Sequence, residues 1–549
     1  MKNTEKGYMP KKITSIREML ELARKEAGDK VAYKYKGKHD EIISVTFDTF
    51  YNQTQWLGAA ICERGFGTSH IACVGENSYP WIVTYLTALQ SGGVFLPVDK
   101  ELPTAEMLHV LTAGEADIIF YDAKREPWLM EHREELSRIK LFIGFDRTVD
   151  EGDFISFDSF MEYGKTLDQS TFKALKSDEH DLKMLVYTSG TTGVAKGVML
   201  TEHNLVSCVY YGLQVSTIYD VGLSVLPYHH TYEAVCDILV AIHYHATLCI
   251  NDSIKNVRKN LDLFKPEYVY LVPAFVEAFY NNIMKNIKKS GKEEIVKKGI
   301  KISNALRKVG IDRRRELFKD IHSAFGGKLQ RIVCGGAPIR PDIANFFTDI
   351  GILLSNGYGI TECSPLVCVN KISKNDSRTV GYRLPCLEWR IDNPTEEGIG
   401  EICIKGDNVM KGYYNDPEKT AEVLKDGWFY TGDYGMITPK DQLIITGRKK
   451  NIIVLTNGKN IYPEELEEYI QNIDYVTEVI VKAIKNAHGG ETGLMAEIYA
   501  AEPHKEDVVL ADVKEALKEL PAYKQVSKIV LRDEPFEKNS SNKIKRKYD

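Results

Sequence analysis

The stretch YTSGTTGVAKGVML, Tyr187–Leu200, packs hydroxyls, glycines and a single lysine into one short segment. Thr188, Ser189, Thr191 and Thr192 are hydroxyl donors, Gly190 and Gly193 let backbone N–H groups approach closely, and Lys196 adds a positive charge. Together these suit phosphate oxygens. The segment is not a P-loop of the form G-x-x-x-x-G-K-[ST], because Lys196 follows Ala195 and precedes Gly197. The preceding LKMLVYT reads as a strand, so the loop lies at a strand end, where ligands collect in open α/β sheets. The alternative is an exposed polar loop.

T-S-G-T-T-G-x-x-K-G resembles the signature of the adenylate-forming superfamily, which includes acyl-CoA synthetases, luciferases and the adenylation domains of peptide synthetases. The resemblance implies that the loop holds the β- and γ-phosphates of ATP while a carboxylate attacks the α-phosphate. Other segments similar to that family's motifs follow in order. GGAP (Gly335, Gly336, Ala337, Pro338) looks like its adenine-side turn. NGYGITE is similar to its Y-G-x-T-E motif, which implies Tyr358 stacked on adenine, Thr361 on the α-phosphate and Glu362 on Mg²⁺, a cation that prefers oxygen ligands. In GWFYTGDYG, an ionised Asp433 can accept from both ribose hydroxyls. ITGRKKNIIVLTNGKNIYPEELE is similar to the junction motif: Arg448 would contact ribose or phosphate, Lys450 would be the hinge, and Gly458 would line a pantetheine tunnel. In EKNSSNKIKRKYD, Lys543 matches the lysine that supplies charge during adenylation. Its neighbours Lys545 and Lys547 are alternatives, and so is a solvated basic tail.

The same resemblance speaks to the acid. Gly359 stands where acetate-activating members carry a tryptophan, which implies an acid larger than acetate or propionate. LPYHHTYEA resembles the long-chain form L-P-x-x-H-x-x-E, with His230 as gate or orienting donor near the carboxylate, or else a packed polar residue. KPEYVYLVPAFVEAFYNNI also follows the long-chain branch. The implied reaction converts a medium- or long-chain fatty acid to acyl-AMP and then to acyl-CoA, with CoA as co-substrate. A ligase that loads an acyl carrier protein is the alternative, and a silent acyl- or nucleotide-binding relative is a third reading.

These residues need a scaffold. At 549 residues the chain calls for two or more domains. Short apolar runs such as IACVG, GVFLPV, ADIIFYD and IKLFIGF alternate with helical stretches, the pattern of layered α/β sheets covered on both faces. The expected fold class is α/β. Residues 1–449 would form a large region of layered mixed sheets and helices with a β-rich subdomain at about 381–446, and 450–549 a small mobile α/β domain. The formal charge of −6 argues against nucleic-acid coating. Ten scattered cysteines without a C-x-x-C pair suggest reduced thiols. The first residues lack the apolar core of a secretory signal and no run is long enough to span a membrane, so the expected location is cytoplasmic. Lys285–Lys319 carries thirteen Lys/Arg against four Asp/Glu. It is read as a solvated helical face, with contact to an anionic membrane or a carrier protein as the alternative.

Overall fold

The structure, a computed structural model, describes residues 8–37, 40–188, 195–456, 459–485, 491–538 and 544–546. The chain packs as two units. The first comprises 1–388 with 405–427, and the second 389–404 with 428–549. The expected boundary near Lys449 therefore falls inside the second unit, which takes most of the β-rich stretch as well as the C-terminal segment.

The first unit holds two large sheets. In one, the strands Leu353–Gly359, Arg331–Cys334, Tyr268–Leu271, Val221–Ser224, Thr247–Ile250 and Val31–Lys36 run parallel, with antiparallel strands at both edges. In the other, the parallel strands Val94–Val98, His70–Val74, Ile118–Tyr121, Leu141–Gly144 and Phe154–Ser156 continue from the hairpin Leu182–Thr188 and Lys196–Thr201. The inner strands are buried on both faces, which is why they read as unbroken apolar runs rather than alternating ones. The helix Tyr79–Gln90 is buried along nearly its whole length. Ser78 caps it by accepting from the Trp81 N–H, and Pro80 fits its first turn, where no backbone donor is needed.

The second unit contains residues 400–404 of the strand Gly400–Gly406, paired antiparallel with Trp428–Ile437, which pairs in turn with Leu443–Arg448. It also contains a three-stranded sheet of Val476–Lys485, Glu491–Ala500 and Lys528–Arg532. The helices Pro463–Ile470 and Glu506–Leu517 cover that sheet through Leu466, Ile470, Val509, Val513 and Leu517. The short strands Ile453–Val454 and Asn460–Ile461 pair antiparallel, with Ile453 opposite Ile461.

Candidate functional site

The hairpin that carries the hydroxyl-rich loop brings its two ends together, with Thr188 directly opposite Lys196. Ser189, Gly190, Thr191, Thr192 and Gly193 lie outside the described residues. Lys196 does not stand alone: its ammonium lies 5.1 Å from the centre of the Tyr413 ring, within cation–π range. The Tyr413 hydroxyl donates to Glu362 Oε1 at 2.9 Å, and the Met410 N–H donates to the Glu362 carbonyl at 2.8 Å. Burial pushes the Tyr413 hydroxyl far above its usual pKa, and the neighbouring carboxylate adds to the shift. Tyr413 is held by the short edge strand Gly412–Tyr413, which pairs with Lys196–Thr201. One sheet edge thus joins the lysine of one motif to the glutamate of another. Sequence reading missed Tyr413. Its only local signal is an aromatic pair, Tyr413–Tyr414, after a glycine.

Tyr358 and Gly359 end the strand Leu353–Gly359, and Thr361 and Glu362 begin the short turn Thr361–Cys363. A Cβ at Gly359 would meet the Pro365 carbonyl oxygen at 2.5 Å. The glycine therefore has a backbone reason of its own, independent of pocket size. Gly335 and Gly336 follow the parallel strand Arg331–Cys334. Gly336 has φ +85°, a conformation that side chains disfavour, and it leaves Ala337 and Pro338 on an exposed turn. At Gly335 a Cβ would lie 3.1 Å from the Tyr232 ring.

His230 is half-buried and sits just before the short helix Thr231–Glu233. Its neighbour His229 has Nε2 3.6 Å from Asp99 Oδ2. Burial lowers the His229 pKa and Asp99 opposes this without reversing it. Glu233, by contrast, is fully buried and accepts from Ser224 Oγ at 2.5 Å. Burial, with Asp237 beside it, pushes its carboxyl well above the usual range.

In the second unit, Asp433 is buried and its Oδ1 lies 2.7 Å from Arg448 Nε across the strand pair. Gly432, with φ +69°, donates its N–H to Glu401 Oε1 at 3.1 Å. The other Glu401 oxygen holds Lys449 at 2.5 Å. The Glu401–Lys449 pair was also missed, since Glu401 lies in an ordinary-looking strand. Lys450 belongs to the turn Lys449–Asn451. Its pKa is lowered by burial and then by Arg448 and Arg546. Gly458 and Lys543 lie outside the described residues. No cluster of three or more His, Cys, Asp or Glu suited to a metal occurs among the described residues. Glu362 fits Mg²⁺ in the way that cation is often bound, one carboxylate with substrate phosphates supplying the rest.

The whole-chain fold is shared with the crystal structure of the anthranilate CoA ligase AuaEII in complex with anthranoyl-AMP, at TM-score 0.78 and 17% identity over 96% of this chain and 95% of that one. The family model described as AMP-binding enzyme matches residues 20–414, and the chain belongs to that family. Among relatives, human long-chain-fatty-acid–CoA ligase 1 is 27% identical over 78% of this chain. The match spans 66% of that relative, just under two thirds of its length. The chloroplastic long-chain-fatty-acid–[acyl-carrier-protein] ligase AEE15 of Arabidopsis thaliana is 28% identical, over 83% of this chain and 72% of its own.

Proposed function

We propose that this enzyme activates a medium- or long-chain carboxylic acid with ATP and then passes the acyl group to the thiol of CoA. In the first step a carboxylate oxygen attacks the α-phosphorus, the bond to the β-phosphate breaks, and pyrophosphate leaves. In the second, the thiolate attacks the acyl carbon, the bond to AMP breaks, and thioester and AMP result. The observation that carries this reading is the Lys196–Tyr413–Glu362 cluster at the mouth of the Thr188–Lys196 hairpin. It gathers a cation and a carboxylate on one tyrosine beside the strand that follows the hydroxyl-rich segment, the charges that nucleotidyl transfer with bound Mg²⁺ requires.

In this reading Lys196 neutralises the outer phosphates, and Thr361 donates to the α-phosphate. Glu362 and the phosphates hold Mg²⁺, which would offset charge on the triphosphate. Asp433 accepts from the ribose hydroxyls, Arg448 steadies them, and Tyr358 stacks on adenine above the Gly335–Pro338 turn. His230 orients the acid. Lys450 is the hinge about which the C-terminal residues rotate, exchanging Lys543 for the Gly458 loop between half-reactions. A carrier protein is the second acceptor considered, favoured by the name of the Arabidopsis relative.

The test is ATP–pyrophosphate exchange with acetate, hexanoate, dodecanoate, hexadecanoate and benzoate, repeated with CoA while thioester is followed by mass. Exchange peaking at dodecanoate or hexadecanoate with thioester formed is expected. Acyl-AMP accumulating without thioester would move the acceptor to a carrier protein. Exchange confined to acetate or benzoate would overturn the acid assigned.

A further inference from the structure

The helix Glu293–Lys308 sets Val296 and Ile300 against the core of the first unit and buries Ser303. Its outward side is not simply polar. Ile295 and Ile302 are 67% and 58% exposed, and Val309 at its C-terminal cap is 72% exposed. A spacing of seven drifts by only about 20° per step on an α-helix, so the three form one row. Ile311 and Leu317 follow, at least 46% exposed. Single exposed hydrophobics are ordinary, but a row of them is not. Of the sixteen large exposed hydrophobics among the described residues, these five fall within 295–317.

Lysines flank the row. Lys298 lies between Ile295 and Ile302 on the same side, with Lys301 and Lys308 beside it, and all three are exposed. None makes an ion pair among the described residues. Three of the nearby acids are instead matched by other cations: Glu294 by Lys297 at 3.5 Å, Asp312 by Arg314 at 2.6 Å and Glu316 by Arg313 at 2.5 Å. An aliphatic row edged by unneutralised lysines is the chemistry of a helix lying in the plane of a bilayer surface.

We propose that this face docks on an anionic lipid surface, with Ile295, Ile302 and Val309 entering the headgroup boundary and Lys298, Lys301 and Lys308 meeting lipid phosphates. Charge argues against a second copy, because a two-fold contact through this row would set the same lysines against each other. The row also lacks the Trp and Tyr anchors that mark protein interfaces. The contact is peripheral, since no helix among the described residues is long and apolar enough to cross a membrane.

The experiment is co-sedimentation of the full chain with vesicles of phosphatidylcholine alone, or three parts phosphatidylcholine to one of phosphatidylglycerol. The wild type is compared with the triple variants Lys298→Glu/Lys301→Glu/Lys308→Glu and Ile295→Ser/Ile302→Ser/Val309→Ser. Thermal melting and ATP–pyrophosphate exchange with a water-soluble acid verify that each variant folds. The wild type is expected to bind the anionic vesicles only, and less at high salt. Removing each lysine should cost about fivefold in affinity, hence on the order of a hundredfold for the three. The serine variant should lose about tenfold or more. Equal binding to both vesicle types, or folded variants that bind as the wild type does, would overturn the proposal. So would a lipid-free dimer abolished by the serine variant, which would make the face a contact between copies.

Discussion

Arg448 Nε lies 2.7 Å from Asp433 Oδ1 across neighbouring strands, and the carboxylate is buried while the guanidinium side chain is half-exposed. This asymmetry means that losing the arginine would leave a buried charge unpaired, whereas neutralising the aspartate leaves only a guanidinium that water can solvate. Asp433→Asn keeps the shape and removes the charge. It should raise the KM for ATP by about tenfold to a hundredfold, the worth of a hydrogen bond to a charged group. The melting temperature should move little. An unchanged KM in exchange assays would remove Asp433 from the nucleotide site.

Tyr413→Phe retains the ring under Lys196 and deletes the hydroxyl that Glu362 accepts. The expected result is a changed Mg²⁺ half-saturation in ATP–pyrophosphate exchange, with a loss of up to about tenfold in rate. Lys196→Met should be more severe and largely insensitive to added Mg²⁺. If Tyr413→Phe leaves the Mg²⁺ dependence untouched, the tyrosine only packs.

Gly359→Ala places a Cβ 2.5 Å from the Pro365 carbonyl. Backbone must move, so the substitution should destabilise by about 1–3 kcal/mol, measured by denaturant unfolding. A stable alanine variant with an altered acid preference would return the position to pocket size alone.

Lys543→Ala should slow adenylate formation by about a hundredfold or more, while thioester formation from preformed acyl-AMP persists. The neighbouring Lys545 is engaged with Glu537 at 2.7 Å, so Lys545→Ala should leave both half-reactions near normal. The reverse pattern in single-turnover assays would exchange their roles.

His243 is buried, and burial, followed by the adjacent His245, lowers its pKa to about 4 from 6.5. The fold holds it neutral while the unfolded chain can protonate it. Stability from this group is therefore complete above pH 6.5 and is lost as pH falls toward about 4. A shift of that size corresponds to roughly 3 kcal/mol. Unfolding free energy followed across this window should decline, and the decline should flatten in His243→Gln.

The motifs were legible because each is a short run whose chemistry needs its residues close in sequence, and the apolar strands were legible because burial on both faces leaves an unbroken signature. LKMLVYT forms the strand that its pattern suggests. Partners chosen across the fold left no local trace. Tyr413 reaches Glu362 because an edge strand pairs beside the loop's hairpin, and Glu401 reaches Lys449 because two strands of another sheet lie near each other. Nor does a glycine disclose in sequence whether it opens a pocket or lets two backbones touch, as at Gly359. The sequence by itself determined which chemical groups the protein carries and the local elements that hold them. Only the tertiary structure decided which groups share a site and which, like Glu233, are buried, since pairing and burial depend on residues distant in the chain.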